Sequence, residues 1–435
     1  MKRTLLRRII GVSSISLISL MAVNAYAAGY KLEFQSASVL GDAGDAAVVE
    51  DASTNWYNSA GLPYVPRQVA LSLIDVYAPT TFSGTVFAPS LLGSFSGNGS
   101  ASSHPNNVLP ALHVAYPINC KWALGLTVAP AWGFSENYGN GSVLRYDLVY
   151  VNTTSMDIAP SVAYKLNDQW SFGIGPDAHY FLVDSKQLAR LTTTLNGQSR
   201  YRTSDWGWGG HAGVLFRIND NTRIGLNYRS KMVMELNNGF SDLSFPAAFT
   251  LATGIPSVRS NSFKLRVVLP PTTTLSFYHD MTPCWALMGS IAYDQWSVLR
   301  NYYAQNYQSV PSIANPTGVL PAVYVQQDMS NTFDLGFGTH YKLNPSWMLR
   351  GSVKYEPTPT QNRFRDVNFP DGSKLGFQIG ARYTICKGIA LDMLYGHVFV
   401  NTAHIGLTQP VTAVTVNGHN RTSVDLFGAQ LVWNV

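Results

Sequence analysis

The sequence predicts an all-β fold, a transmembrane antiparallel β-barrel of about fourteen strands. Three observations carry this: an export signal at the N-terminus, a composition poor in charge but rich in aromatics, and a recurring turn motif. Charged residues make up 13% of the 435 and aromatics 12%, with Gly and Tyr plentiful. Yet after the leader no stretch holds the roughly 18 uninterrupted apolar residues of a spanning helix. A barrel reconciles these facts, because only alternate side chains of each strand face lipid.

The leader comes first. Lys2, Arg3, Arg7 and Arg8 are followed by an apolar run from Ile9 to Val23 and by the small-x-small site Ala25-Tyr26-Ala27. Residues 1–27 therefore read as a secretory signal peptide cut before Ala28, its apolar part too short for an anchor of roughly 20 residues. Removing it takes away those four positive charges and lowers the formal net charge from +5 to about +1. A nucleic-acid or polyanion partner then has no electrostatic basis.

The turn motif counts the strands. An aromatic-ended strand, a tight polar turn and an alternating strand recur in "YPINCKW" (116–122), "YKLNDQW" (164–170) and "FRINDNTR" (216–223). They recur again in "YHDMTPCW" (278–285), "YKLNPSW" (341–347) and "YTICKGI" (383–389). Asn, Asp, Pro and Gly supply the turn chemistry, and the Tyr and Trp flanks suit an interfacial girdle. Between them, residues 79–107, 237–262 and 300–328 read as long outer loops rich in Gly, Ser, Asn and Pro. Six short periplasmic turns separate seven hairpins, hence fourteen strands, the first beginning near residues 64–68.

Individual strands show period two. In "WMLRGSVKYE", Trp347, Leu349, Val353 and Tyr355 share one face, while Met348, Arg350, Ser352, Lys354 and Glu356 share the other. In the last strand Phe427, Ala429, Leu431, Trp433 and Val435 face out, with Gln430 and Asn434 inward.

Chemistry-bearing motifs are absent. Cys120, Cys284 and Cys386 are odd in number, show no CxxC or zinc spacing, and read as structural residues of similar turns. Nine histidines form no HExxH, and no GxSxG or P-loop occurs. No enzyme activity, cofactor or metal is expected.

The chain resembles the long-chain fatty-acid transporter (FadL-like) family of outer-membrane channels, which includes aromatic-hydrocarbon importers. Ala28-Gly29-Tyr30 is similar to the family's mature start, and "DASTNWYNSAGL" (51–62) to its hatch motif. "AYKLNDQWSFGIG" (163–175) and "FRDVNFPDGSKLGFQIGARY" (364–383) resemble a characteristic turn and a C-terminal segment. The resemblance implies an N-terminal hatch (residues 28–63) plugging a barrel (64–435), and passive uptake of hydrophobic molecules released sideways through a kinked third strand. It also implies a bacterial outer-membrane location among lipid and lipopolysaccharide, with a monomer expected. This sequence departs in the hatch motif Asn58-Ser59-Ala60-Gly61, where Ser59 stands in place of the family's Pro and leaves φ free.

Site candidates follow. In the third strand, Pro130 donates no N–H and Gly133 offers no side chain, so the ladder is expected to break there, with Pro160 widening the defect. Tyr30, Leu32 and Phe34 are candidates for the internal pocket. Leu188 and Leu191, with Leu195, carry helix-face spacing; with Phe240, Phe245 and Phe249 they form apolar outer loops suited to capture. Arg145, Arg350 and Arg382 are candidates for a ligand carboxylate, each with lumen carboxylates such as Glu356 or Asp392 as competing partners. An aqueous porin, a barrel-borne hydrolase and a purely structural or adhesive barrel are the rival readings.

Overall fold

The computed structural model describes residues 29–435 apart from Asp45, Leu91, Leu92, Ile313 and Ala314, so the expected signal peptide lies outside the described residues. Fourteen strands form a closed antiparallel barrel. The first runs Gln68–Tyr77 and continues as Thr80–Ala88; the second comprises Phe95–Ser103 and Asn106–Pro117; the third, Trp122–Ala129 and Ser135–Asn137. The fourth to seventh are Tyr150–Lys165, Trp170–Arg190, Asn196–Arg217 and Thr222–Arg229. The eighth to eleventh are Thr272–Asp280, Trp285–Asp294, Thr332–Asn344 and Trp347–Glu356. Lys374–Cys386, Ile389–Val400 and Thr415–Asn434 complete the set. The last strand pairs back onto the first, from Gln68 opposite Asn434 to Tyr77 opposite Asp425, so no edge is left.

Alternation decides which face each residue takes. On the first strand Leu71 and Leu73 are exposed on the outside while Ser72 and Ile74 are buried within. All six short turns are where the motif places them, and the side chains explain the motif. Asn119, Asn167 and Asn344 each accept the backbone N–H groups of the residues two and three further on, the latter being Trp122, Trp170 and Trp347. These Asx turns fix where the next strand starts. At the same end Trp122 meets Tyr164, Trp170 meets Phe216 and Trp347 meets Tyr383, with ring centroids 4.3–4.7 Å apart. The three cysteines lie exposed in these turns or at a strand end beside one.

Three expectations about the outer end are corrected. Much of 79–107 is not loop, because Thr80–Ala88 and Phe95–Ser103 pair and extend the barrel wall outward. Leu188, Leu191 and Leu195 do not share a helix face; the fifth strand runs to Arg190 and hairpins into the sixth. Thr192 forces that turn, its hydroxyl accepting the N–H groups of Thr194 and Leu195. The stretch 237–262 holds Asn238–Ser244, paired with the sixth strand, and Val258–Ser260, which pairs with Asn238–Ser244 in turn, and 300–328 likewise contributes ordered strands. Met232–Leu236, Lys264–Leu269, Asn301–Gln305 and Val323–Gln326 build a separate four-stranded sheet.

Inside the barrel lies the N-terminal segment: a short helix Ala37–Gly41, a single turn Thr54–Tyr57 and a 3-10 helix Ser59–Tyr64. It touches all fourteen strands. On one side Ala37, Gln35 and Asn55 reach Ser72, His113 and both Thr127 and the Ala159 carbonyl. Ala60 and Asn58 reach Ser171 and Val214, and the Ala47 carbonyl accepts from Arg223. Val48 packs on Tyr278, Lys31 pairs with Asp294, and Leu40 packs on Leu394. His340, Arg350 and Arg382 meet the segment's carboxylates, and Ser36 donates to Gln430. Glycines make this seating possible. A Cβ on Gly125 would stand 2.1 Å from Asn55 Oδ1, and one on Gly173 would stand 2.4 Å from Ser59 Oγ.

Candidate functional site

The third strand is the irregular one. Between the pairs Ala129–Asp157 and Ser135–Asn152 it holds five residues against four on its neighbour, the extra residue of a bulge. Pro130 and Gly133 both fall inside this break. The displaced backbone is not left unpaired. Leu32 N–H donates to the Ala131 carbonyl at 2.8 Å and Gly133 N–H to the Tyr30 carbonyl at 2.9 Å, so the N-terminal segment acts as a substitute strand. From the fourth strand, Ser155 Oγ accepts Trp132 N–H and Thr153 Oγ1 accepts Phe134 N–H. On the other side, Asn106–Ala111 of the second strand has no partner in the third, whose pairing stops at Leu112 opposite Val128. Pro160 acts elsewhere than expected. It keeps its place opposite Leu126 of the third strand and interrupts the ladder to the fifth, between Ile158–Ala178 and Val162–Ile174.

Two cavities lie at the level of this break. The outer one has a volume of ≈ 180 Å³. Its lining is apolar and aromatic: Phe181 and Tyr201 from the barrel, Val267 and Tyr302 from the separate sheet, Phe369 from the loop before the twelfth strand, and Tyr30 below. Among the described residues no Lys, Arg or His lines it, and its single ionisable carboxyl is Asp366. The inner cavity, ≈ 90 Å³, is charged, with Lys31, Glu33, Asp157, Arg229, Asp334 and Lys354 in its walls beside Leu32 and Trp132. An aromatic partition lies between them. The Tyr30 ring sits 5.2–6.0 Å from the rings of Trp132, Phe134, Trp296 and Phe369, and Trp296 is fully buried. Gly29 lets the chain lie this close: its φ is +60°, and a Cβ there would stand 2.1 Å from the Trp296 ring.

The three hatch candidates therefore separate. Tyr30 lines the outer cavity, Leu32 the inner one, and Phe34 a third small hollow against Val398 and Val424. Asn58 caps the 3-10 helix by accepting Ala60 N–H, and Ser59, Ala60 and Gly61 follow it fully buried. Of the outer-loop residues, Leu191, Phe245 and Phe249 bury each other in one cluster with Leu243, and Leu188 packs against the main core. Phe240 lies under the guanidinium of Arg259, and Leu251 of the same loop is exposed.

The basic candidates have different fates. Arg350 pairs with Asp42, Glu50 and Asp392; Arg382 pairs with Glu50, Asp51 and Asp392. The partner Asp392 is legible from the sequence, but the hatch carboxylates are not. Burial drives Glu50 upward, yet Arg350, Arg382 and His340 together hold it well below the usual carboxylate range. Lys354 pairs with Glu356 and Glu33. Arg145 stacks on Phe95 and Tyr146 at 4.5 and 4.7 Å and pairs with no carboxylate among the described residues. Sequence reading missed Tyr201, Val267, Tyr302 and Phe369; the alternation in "KLRVVL" (264–269) is the signal for the inner sheet.

One arrangement resembles hydrolase chemistry. Ser161 Oγ lies 2.8 Å from His211 Nε2, and His211 Nδ1 lies 2.7 Å from Asp177. All three are buried, Asp177 is also paired with Arg229 at 3.2 Å, and none lines the cavities above. Without access for an ester or a free carboxylate behind the imidazole, the trio ties three strands together.

Residues 18–434 match the family described as "Outer membrane protein transport protein (OMPP1/FadL/TodX)". The long-chain fatty acid transport protein of Escherichia coli K12 is 25% identical over 421 residues, covering 86% of this chain and 89% of its own. Outer membrane protein P1 of Haemophilus influenzae is 25% identical across 95% of this chain and 96% of its own. Among solved structures, a Pseudomonas aeruginosa FadL homologue superposes with a TM-score of 0.81 at 18% identity, covering 94% of this chain and 100% of its own. The Pseudomonas putida toluene transporter TodX superposes with a TM-score of 0.66 at 14% identity, covering 96% and 100%. With the fold, the strand break and the lumenal segment in place, the chain belongs to the OMPP1/FadL/TodX family of outer-membrane channels for hydrophobic substrates.

Proposed function

We propose that this channel passively takes up long-chain fatty acids, with the hatch as plug and the third-strand break as a lateral exit into the membrane. The observation that carries the reading is the five-against-four break, positioned beside both cavities and occupied by residues 30–32 of the hatch. A hydrophobic molecule arriving from outside would meet the outer loop at the exposed Leu251, above the buried Phe245 and Phe249, then the outer cavity. Displacing Tyr30 would free the strand pairing that closes the break. Curated relatives named as fatty-acid transporters favour that substrate. A carboxylate would find Arg145 near the outer end, since Arg350 and Arg382 are engaged by the hatch. The channel acts as a monomer among outer-membrane lipid and lipopolysaccharide.

A second reading, import of small aromatic hydrocarbons, rests on the outer cavity itself. It has no cationic residue among the described residues, and its ≈ 180 Å³ compares with the roughly 150 Å³ dry cavity that accepts a benzene ring.

Uptake of labelled oleate and toluene should be measured in cells lacking their own transporter. Pro130→Val combined with deletion of Gly133 restores the N–H and removes the extra residue. Uptake of either substrate should then fall to the vector background while the barrel still migrates as a folded, heat-modifiable band. Unchanged uptake would discard the lateral route. Arg145→Gln should lower oleate uptake and spare toluene under the fatty-acid reading.

A further inference from the structure

Below the aromatic partition, Asp42 and Glu50 of the hatch converge on His340 of the tenth strand. His340 Nδ1 lies 3.3 Å from Glu50 Oε1 and 3.7 Å from Asp42 Oδ1, and one ligand atom from each residue falls within 4.8 Å of the others. The opposite ring nitrogen decides the tautomer. His340 Nε2 is 3.0 Å from the Tyr278 hydroxyl, which is 2.9 Å from Asp280 Oδ1. An ionised carboxylate only accepts, so the phenol donates to Asp280 and its oxygen accepts from Nε2–H. In the neutral ring, Nδ1 then carries the lone pair, aimed at two carboxylates.

His340 Nδ1 makes no hydrogen bond, and neither does either oxygen of Asp42; the two residues are 2% and 0% exposed. Arg350 Nε approaches Asp42 at 3.3 Å as an ion pair without hydrogen-bond geometry. Around this point four carboxylates, Asp42, Glu50, Asp51 and Asp392, face the two guanidiniums of Arg350 and Arg382. With the His340 ring neutral two negative charges remain, and a ring proton would leave one. The 3.3 and 3.7 Å separations are long for hydrogen bonds; the first matches, and the second slightly exceeds, the edge of about 3.3–3.6 Å of a tetrahedron with bonds of about 2.0–2.2 Å.

We propose that Asp42, Glu50 and His340 bind one divalent transition-metal ion that clips the hatch to the barrel wall. Two carboxylate oxygens and one imidazole suit Zn²⁺, with water as the fourth ligand. Tyr278 and Asp280 form the outer shell that orients a metal-bound imidazole through its remaining N–H. The other acidic group, Glu33, Asp334 and Glu356, differs in having no imidazole, and Lys31 and Lys354 are interleaved with it. The clip is independent of which substrate the channel carries.

The test uses the full chain, untagged and in detergent, stripped with chelator and dialysed against micromolar Zn²⁺. Mass spectrometry of metal content should give one Zn²⁺ per chain, and anomalous scattering from crystals of the unaltered protein should place it at His340. His340→Gln and Asp42→Asn should each abolish the stoichiometric ion, and Tyr278→Phe should weaken it by about tenfold. Retained heat-modifiable migration would show that these barrels fold. Chelation should also speed proteolysis within residues 42–50 in the unaltered chain and not in His340→Gln. Absence of bound Zn²⁺ in the unaltered protein, an anomalous peak elsewhere, or an unchanged Zn²⁺ content in both ligand variants would overturn the site; a proton on Nδ1 would then be the occupant.

Discussion

At the level of single side chains, Tyr30 has the most to lose. Its ring closes the partition between the cavities, and truncating a buried aromatic costs about 3–5 kcal/mol when the site cannot collapse. Tyr30→Ala should join the two cavities, giving frequent ionic openings in planar bilayers where the unaltered channel stays closed, together with a lower melting temperature. An equally quiet Tyr30→Ala channel would remove Tyr30 from the barrier. In the outer loop that precedes the fourth strand, burial and then the charge of Asp366 push Asp147 up to about 7. The unfolded carboxyl titrates near 3.9. The folded value is the higher one, so the stabilising contribution is full below about pH 4 and is lost as pH rises through about 7. Amide exchange in residues 138–149, corrected for intrinsic rates, should be slower at pH 5 than at pH 8, and Asp147→Asn should flatten that difference. Residues of this kind were only half legible beforehand. Period two places Arg350 and Arg382 in the lumen, but their partners Asp42, Glu50 and Asp51 lie some 300 residues away in sequence. No local spacing could pair them, and the histidine that meets the same carboxylates, His340, is hidden for the same reason.

Among elements, the strands and the hatch contrast in how openly the sequence declares them. Strand number was readable because each short turn carries its own Asx hydrogen bonds and each strand its own alternation, both local properties. The inner four-stranded sheet was not, because its strands are short, sit inside long connections and pair only with each other. The hatch turn is an intermediate case, recognisable by motif but not by period. Its backbone suits proline: Asn58 is extended at φ −163° and ψ 99°, as a residue preceding proline should be, and Ser59 is the first position of a helical turn. Ser59→Pro should therefore stabilise the docked hatch by about 0.4–1 kcal/mol and slow its proteolysis. Faster cleavage would mean that the ring clashes with the wall at Gly173. Gly125→Leu should do the reverse, since any side chain there meets Asn55 and Leu62. Its expected signature is a folded barrel whose residues 29–63 are digested readily.

For the whole molecule, the circular sheet and the lumenal segment impose an order of events. The first strand is completed only by the last, through the Gln68–Asn434 register, and the hatch precedes both in the chain. Its ionic attachments, however, are to Asp294, His340, Arg350, Lys354 and Arg382, which the ribosome makes more than 240 residues after Asp51. Those ion pairs can therefore form only once the last third of the chain is present. A cylinder that seals before capturing it would be a leak across the outer membrane. Each strand's contact with the segment would give a growing wall a template to curve around. The same residues that occupy the finished lumen would then act as a mandrel for its construction, making the plug a participant in biogenesis before it has anything to plug.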